Sequence, residues 1–154
     1  MRDQDATGPW AVKSFRDLIV WQRSMQLCVA VYELTRTFPR EEIYGLTSQM
    51  RRACVSISSN IAEGHGRGSV PQLLHFLSIA RGSTFEVQAQ LLLARELQLG
   101  EPAQLDRSDG FCEEISKMLF ATMKSLKSRQ SNPSNTSPDL SSLFSDLSPR
   151  RGHR

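Results

Sequence analysis

Leu46-Thr47-Ser48-Gln49-Met50-Arg51-Arg52-Ala53-Cys54-Val55-Ser56-Ile57-Ser58-Ser59-Asn60-Ile61-Ala62-Glu63-Gly64 carries a single seam along its whole length. Leu46, Met50, Ala53, Ile57, Asn60 and Gly64 recur at spacings of four, three, four, three and four, and Cys54 and Ile61 widen the stripe. This is the period of an amphipathic helix with one face turned to a core. The stretch runs into Gly64-His65-Gly66-Arg67-Gly68, three glycines in five residues, which predict a helix stop and a turn. Its last turns place an amide, Asn60, and a carboxylate, Glu63, at or beside the seam. A polar pair there serves as a catalytic pair, as metal ligands, or as a hydrogen-bond device that fixes helix register at some cost in stability.

Upstream, Ser14-Phe15-Arg16-Asp17 reads as a capping box that opens a helix. Leu18, Trp21, Met25, Cys28 and Tyr32 form one seam, and Val20, Ser24, Leu27, Val31, Leu34 and Phe38 form a second beside it. Pro39 ends this helix, because the residue before a proline is driven out of helical geometry. Downstream, Ser69 caps a third helix with Pro71 in its first turn, where a missing N–H costs nothing. Leu73, Leu77, Ala80, Thr84, Val87, Leu91 and Ala94 give it a long heptad seam, while Phe76, Phe85, Ala89, Leu92 and Leu99 lie off that seam. Gly100 is expected to cap its end, and a length above twenty-five residues makes it about 40 Å long. After Glu101-Pro102, Leu105, Cys112, Ile115, Leu119, Thr122 and Leu126 mark a fourth helix, which closes on Lys124, Lys127 and Arg129 near its negative end.

No segment alternates as a strand does, and short connections join each helix to the next. The predicted architecture is an all-α, antiparallel up-down-up-down four-helix bundle with long helices, spanning residues 14–130. Residues 1–13 read as a flexible leader and 131–154 as a disordered Ser/Pro-rich tail, with a weak apolar patch at Leu140, Leu143, Phe144 and Leu147. The second apolar stripes on helices one and three exceed what one bundle needs, which predicts self-association along those faces.

The 154 residues suffice for one domain with a proper core. A net charge of +3 permits a polyanionic partner without requiring one, and the basic end Arg150-Arg151-Gly152-His153-Arg154 reads as a solvated terminus. Cys28, Cys54 and Cys112 are odd in number and form no C-x-x-C pair, which argues for reduced core thiols rather than a disulfide framework or zinc site. No signal peptide or membrane span is evident, so a soluble, cytoplasmic protein is expected.

The inventory for chemistry is thin. Di-metal bundles need inward Glu-x-x-His pairs, and none occurs; Glu63 precedes His65 by two, the wrong spacing for one helical face. No metal and no cofactor is therefore expected. Ser56, Ser58 and Ser59 lack a histidine on their face, and the glycine run lacks the preceding strand and Lys-Ser/Thr ending of a phosphate loop. The favoured reading of Asn60 and Glu63 is a structural polar latch toward helix three or a neighbouring subunit, with Ser83, Glu86 and Gln90 as its counterparts. Catalytic residues are none. Arg51 and Arg52, with Arg67 and Arg81, are the candidate nucleic-acid contacts, and repetition around a ring would turn this modest set into a strong field.

Several separated motifs resemble those of a known family. Phe15-Arg16-Asp17-Leu18-Ile19-Val20-Trp21-Gln22 resembles the opening of the bacterial four helix bundle proteins related to the 23S rRNA intervening-sequence protein. The likeness continues at Phe38-Pro39, Glu42 and Tyr44-Gly45-Leu46-Thr47-Ser48-Gln49, then at Arg51-Arg52-Ala53. It is densest over Val55–Gly64 and resumes at Phe76-Leu77, Ile79-Ala80, Gly82-Ser83 and Glu86, so that it spans residues 15 to about 127. Ser58 departs from it, since the family usually has proline there. The resemblance implies a left-handed antiparallel bundle assembled as a homopentameric ring. It also implies accessory roles like those of related bundles in diversity-generating retroelements, which bind a reverse transcriptase and nucleic acid, and it implies no enzymatic activity. The leading expectation is thus a non-enzymatic, ring-forming module with RNA or a ribonucleoprotein as client. A protein–protein scaffold without nucleic acid, and a metal-dependent enzyme using Glu63, His65 and Glu86, are the alternatives.

Overall fold

The computed structural model describes residues 14–132; the expected leader, and from 133 onward the tail with its apolar patch, lie outside the described residues. Four helices follow in order: α1 (Ile19–Thr35), α2 (Leu46–Gly66), α3 (Val70–Glu96) and α4 (Pro102–Gln130). No strand occurs among the described residues. Each helix packs on two others around a square, α1 against α2 and α4, α3 against α2 and α4, and the diagonal pairs stay apart. Contacts that fall along one helix as they rise along the next show every pair to be antiparallel: Thr35 meets Arg51 while Cys28 meets Ser58, and Arg95 meets Asp106 while Arg81 meets Phe120. This is the predicted up-down-up-down bundle.

The seams form the core. Leu46, Met50, Ala53, Cys54, Ile57 and Ile61 of α2 are buried, as is the whole heptad seam of α3 from Leu73 to Ala94. On α1 the two seams part company: Val20, Ser24, Leu27, Val31, Leu34 and Phe38 are buried, whereas Met25 and Tyr32 of the other are exposed. α3 spans 27 residues, about 40 Å. Its off-seam residues Phe85 and Leu92 are 49% and 63% exposed, and Phe120 of α4 is exposed near Phe85, the two rings flanking Arg81.

Gly100 does not cap α3, which ends at Glu96 with Gln98 at φ +57° just beyond, and three further boundaries differ from expectation. The Ser14 capping box is present, but it closes a 3-10 turn, Phe15–Asp17, and not α1. Leu18 has extended backbone and is buried, so the chain bends into the core there, setting Phe15 edge-on to Trp21 at 5.1 Å before α1 begins. α1 stops at Thr35, four residues ahead of Pro39, and its end relaxes through shorter-range bonds, Thr37 N–H to Leu34 O and Phe38 N–H to Thr35 O.

The third correction concerns the glycine run. Gly64 does not stop α2, which continues through His65 to Gly66, so His65 is helical and not part of a loop. Gly64 is buried where α2 crosses α3: a Cβ there would lie 2.9 Å from Phe76 Cβ and 3.2 Å from Leu73 Cδ1. The turn is made by Gly68, at φ +73°, before Ser69 accepts from Gln72 N–H to cap α3. No helix among the described residues is long and apolar enough to cross a membrane.

Candidate functional site

The early end of α1 leaves an open cleft of about 830 Å³ beside the connection to α2. α1 supplies Tyr32 and Thr35, the connection supplies Arg36, Phe38, Arg40 and Ile43, and α2 supplies Thr47, Ser48, Arg51, Arg52, Val55 and Ser56. Four arginines therefore line one cleft, with no acidic residue in its wall. None of the four makes an ion pair among the described residues.

Local structure accounts for this imbalance. Arg51 is half-buried: its Nε donates to Thr35 Oγ1 at 2.9 Å, and its guanidinium lies 4.6 Å over the Tyr32 ring. Thr35 Oγ1 in turn donates to Val31 O at 2.7 Å, so a neutral chain, not a carboxylate, positions the cation. Two of the nearby acids are engaged elsewhere. Glu42 Oε2 accepts from Leu46 N–H at 3.1 Å, satisfying a free donor at the start of α2. Glu33 pairs with Arg107 of α4. Guanidiniums so gathered raise the local positive potential, because their charges add without internal neutralisation.

Of the predicted contacts, the fold brings Arg51 and Arg52 together and separates the other two. Arg67 sits at the far end of α2, 2.6 Å from Glu63 and over the ring of Phe76. Arg81 lies on the α3–α4 face between the rings of Phe85 and Phe120, 5.4 Å from each. Arg36 and Arg40 were not among the predicted residues. Their signal was their place on either side of Phe38-Pro39, a connection that must return the chain toward Arg51.

The predicted polar latch is assembled differently. Asn60 Nδ2 donates to Ser56 O at 2.8 Å and to Ser56 Oγ at 3.0 Å, and Ser56 Oγ shares a 2.9 Å hydrogen bond with Ser83 Oγ of α3. Asn60 and Ser83 are thus linked across the α2–α3 seam through Ser56, which the sequence reading did not single out for this role. Glu63 and Glu86 are exposed and do not join that chain. Glu63 pairs with Arg67 one turn on, and Glu86 accepts from Gln90 within α3 at 3.4 Å. Glu63, His65 and Glu86 cannot share a metal ion: Ser56 faces Ser83, so Glu63 lies seven residues to one side of that level and Glu86 three to the other, about 15 Å in all. Among the described residues no group of three or more His, Cys, Asp or Glu could hold one. The three cysteines are free and buried, and burial together with the charge of Asp109 pushes the Cys112 thiol up to about 12.

The model of a family described as 23S rRNA-intervening sequence protein matches residues 16–121. Among solved structures the chain is similar to a protein of unknown function from the S23 ribosomal protein family of Bacteroides thetaiotaomicron. The two share 23% identity over 69% of this chain and 96% of that one, with a TM-score of 0.64, a likeness of fold. Among curated proteins nothing matches.

Proposed function

The chain belongs to the 23S rRNA-intervening sequence protein family, and on that premise we propose that it is a non-enzymatic, self-associating interaction module that binds RNA or a ribonucleoprotein as an accessory factor. The observation that carries this reading is the cleft whose wall holds Arg36, Arg40, Arg51 and Arg52 and no acid. Unneutralised guanidiniums on a rigid scaffold are what a phosphate backbone recognises first, by charge and by displacing its counterions.

Self-association rests on the exposed apolar residues. Met25, Val29 and Tyr32 follow one line along α1, and Phe85 and Leu92 follow one along α3. Such lines are a liability on a lone bundle and an asset at a subunit interface. A ring of five copies is the assembly that the resemblance implies. It would repeat the cleft around an axis and multiply its field. Light scattering of the purified protein at micromolar concentration tests this; a monomer would remove the ring and most of the support for a strong RNA field.

For the client, a labelled RNA should bind with an affinity that falls steeply as salt rises. The double change Arg51→Ala, Arg52→Ala should lower that slope by about one to two, each lost phosphate contact contributing somewhat less than one. An unchanged slope would exclude those residues. The exposed Phe85 and Phe120 rings favour a second reading, a protein–protein scaffold. It would be distinguished by recovery of a protein client with no retained RNA. A reverse transcriptase is the client class that the resemblance implies.

A further inference from the structure

Resting on the polyanion reading and taking it further, we propose that the arginine cleft holds an unpaired polynucleotide strand, with phosphates on the exposed guanidiniums of Arg36, Arg40 and Arg52 and a base against the ring of Tyr44. Two observations favour a single strand over a duplex. The cleft is an indentation of about 830 Å³, in the range of pockets that enclose ligand-sized groups. A duplex meets a protein along an outward rail of phosphate and sugar, whose complement is a polar surface. Here the wall also contains Ile43 and Val55, both exposed, apolar surface that a duplex rail would leave idle and an unstacked base would cover.

The second observation is Tyr44 itself. It follows Ile43 of the cleft wall in the chain without itself lining the cleft, and is 97% exposed, with no side-chain hydrogen bond or ring contact among the described residues. An exposed aromatic ring on the connection that also carries Arg36 and Arg40 supplies the combination that single-strand binders use, because every base has a face to stack while the charges follow the backbone. Glu41 is exposed on the same connection with neither a side-chain hydrogen bond nor an ion pair among the described residues; Glu42 accepts from Leu46 N–H and Glu33 pairs with Arg107.

The test uses the full chain and four fluorescent probes of matched charge. These are an oligouridine of roughly a dozen nucleotides, an oligothymidine of the same length, a duplex RNA and a polyglutamate peptide. Both single strands should bind at least about tenfold more tightly than the duplex. Tyr44→Ala should weaken them by about fivefold or more while leaving the duplex unchanged, and Tyr44→Phe, which keeps the ring, should retain binding. Either sugar bound with this dependence on the ring supports the proposal, and the tighter one names the strand. Duplex binding as tight as single-strand binding, or an inert Tyr44→Ala, would overturn the proposal and leave arginine-dependent polyanion binding standing. Loss of all nucleic-acid binding would overturn both. Preference for polyglutamate over every nucleic acid would also overturn both and assign the cleft to an acidic protein segment.

Discussion

The two ends of α2 are built on opposite terms. Toward Gly64 the helix is closed: Asn60 and Ser56 satisfy one another, Ser56 reaches Ser83, Glu63 and Arg67 neutralise each other, and Gly64 lets α3 approach to near contact. Toward Leu46 it is open: Arg51 and Arg52 face a cleft with two further arginines, no acid in the wall, and a threonine hydroxyl without a partner. Within one helix, then, satisfied polarity marks the half that holds the bundle together, and unsatisfied charge marks the half available to something else. The contrast argues that function lies at the amino-terminal end, although the glycine-rich carboxy-terminal end is the more conspicuous in sequence.

The sharpest way to break this contrast is at Gly64. A methyl group there meets Phe76 Cβ, the root of a side chain that cannot swing aside, and overpacking of that kind costs about 1–3 kcal/mol. Gly64→Ala should therefore lower stability in urea even though alanine is the better helix former by about 1 kcal/mol. Gly66→Ala, where nothing lies within 4 Å, should be neutral or stabilising by up to about 1 kcal/mol. Equal effects at the two sites would refute the close-packing role. Next in size is Ser56→Ala, which removes the one hydroxyl joining Asn60 to Ser83 and should cost about 1–2 kcal/mol. Glu63→Gln should cost no more than about 0.5 kcal/mol, since its partnership with Arg67 is an exposed pair within one helix.

These predictions also show what the sequence disclosed and what it withheld. The seams of α2, α3 and α4 and the buried seam of α1 were readable because a period of three and four residues reports one helical face directly. Gly64 was misread because glycine at a seam position has two uses, stopping a helix or admitting a neighbour, and only the proximity of Leu73 and Phe76 decides between them. Glu63 was assigned to a neighbour across the bundle, yet Arg67 four residues on was the nearer partner, and that pair was visible in the sequence. The cleft was half legible. Arg51 and Arg52 stand together in the chain, but Arg36 and Arg40 join them only because α1 ends early and the connection folds back, a tertiary fact with no periodic signature.

A smaller effect sharpens the open end. Arg52 is exposed, with no hydrogen bond or ion pair among the described residues, so Arg52→Ala should change stability by less than about 0.5 kcal/mol. Arg51→Ala should cost about 1 kcal/mol, through the lost Thr35 bond and Tyr32 contact. If the cleft serves a ligand, both changes must harm binding far more than folding, whereas Gly64→Ala must do the reverse. A urea titration beside a binding titration for the three variants separates the two ends of the helix on that criterion.

The smallest effect belongs to the closed end and depends on pH. His65, in the last turn of α2, has its pKa lowered by burial, with the charge of Asp17 opposing the shift. A histidine whose folded-state pKa lies below its unfolded value of about 6.5 takes up a proton more readily in the unfolded chain. Its contribution to stability is therefore complete above about pH 6.5 and is lost as the pH falls through the interval between the two values. The urea midpoint should decline between about pH 7.5 and pH 5.5, and His65→Gln should flatten that decline. Removing Asp17's charge would deepen the depression, so Asp17→Asn should steepen the decline, because the opposing carboxylate is gone. A steeper profile in His65→Gln would mean that the proton is stabilised in the folded state, and that this end of α2 is held by charge as well as by close packing.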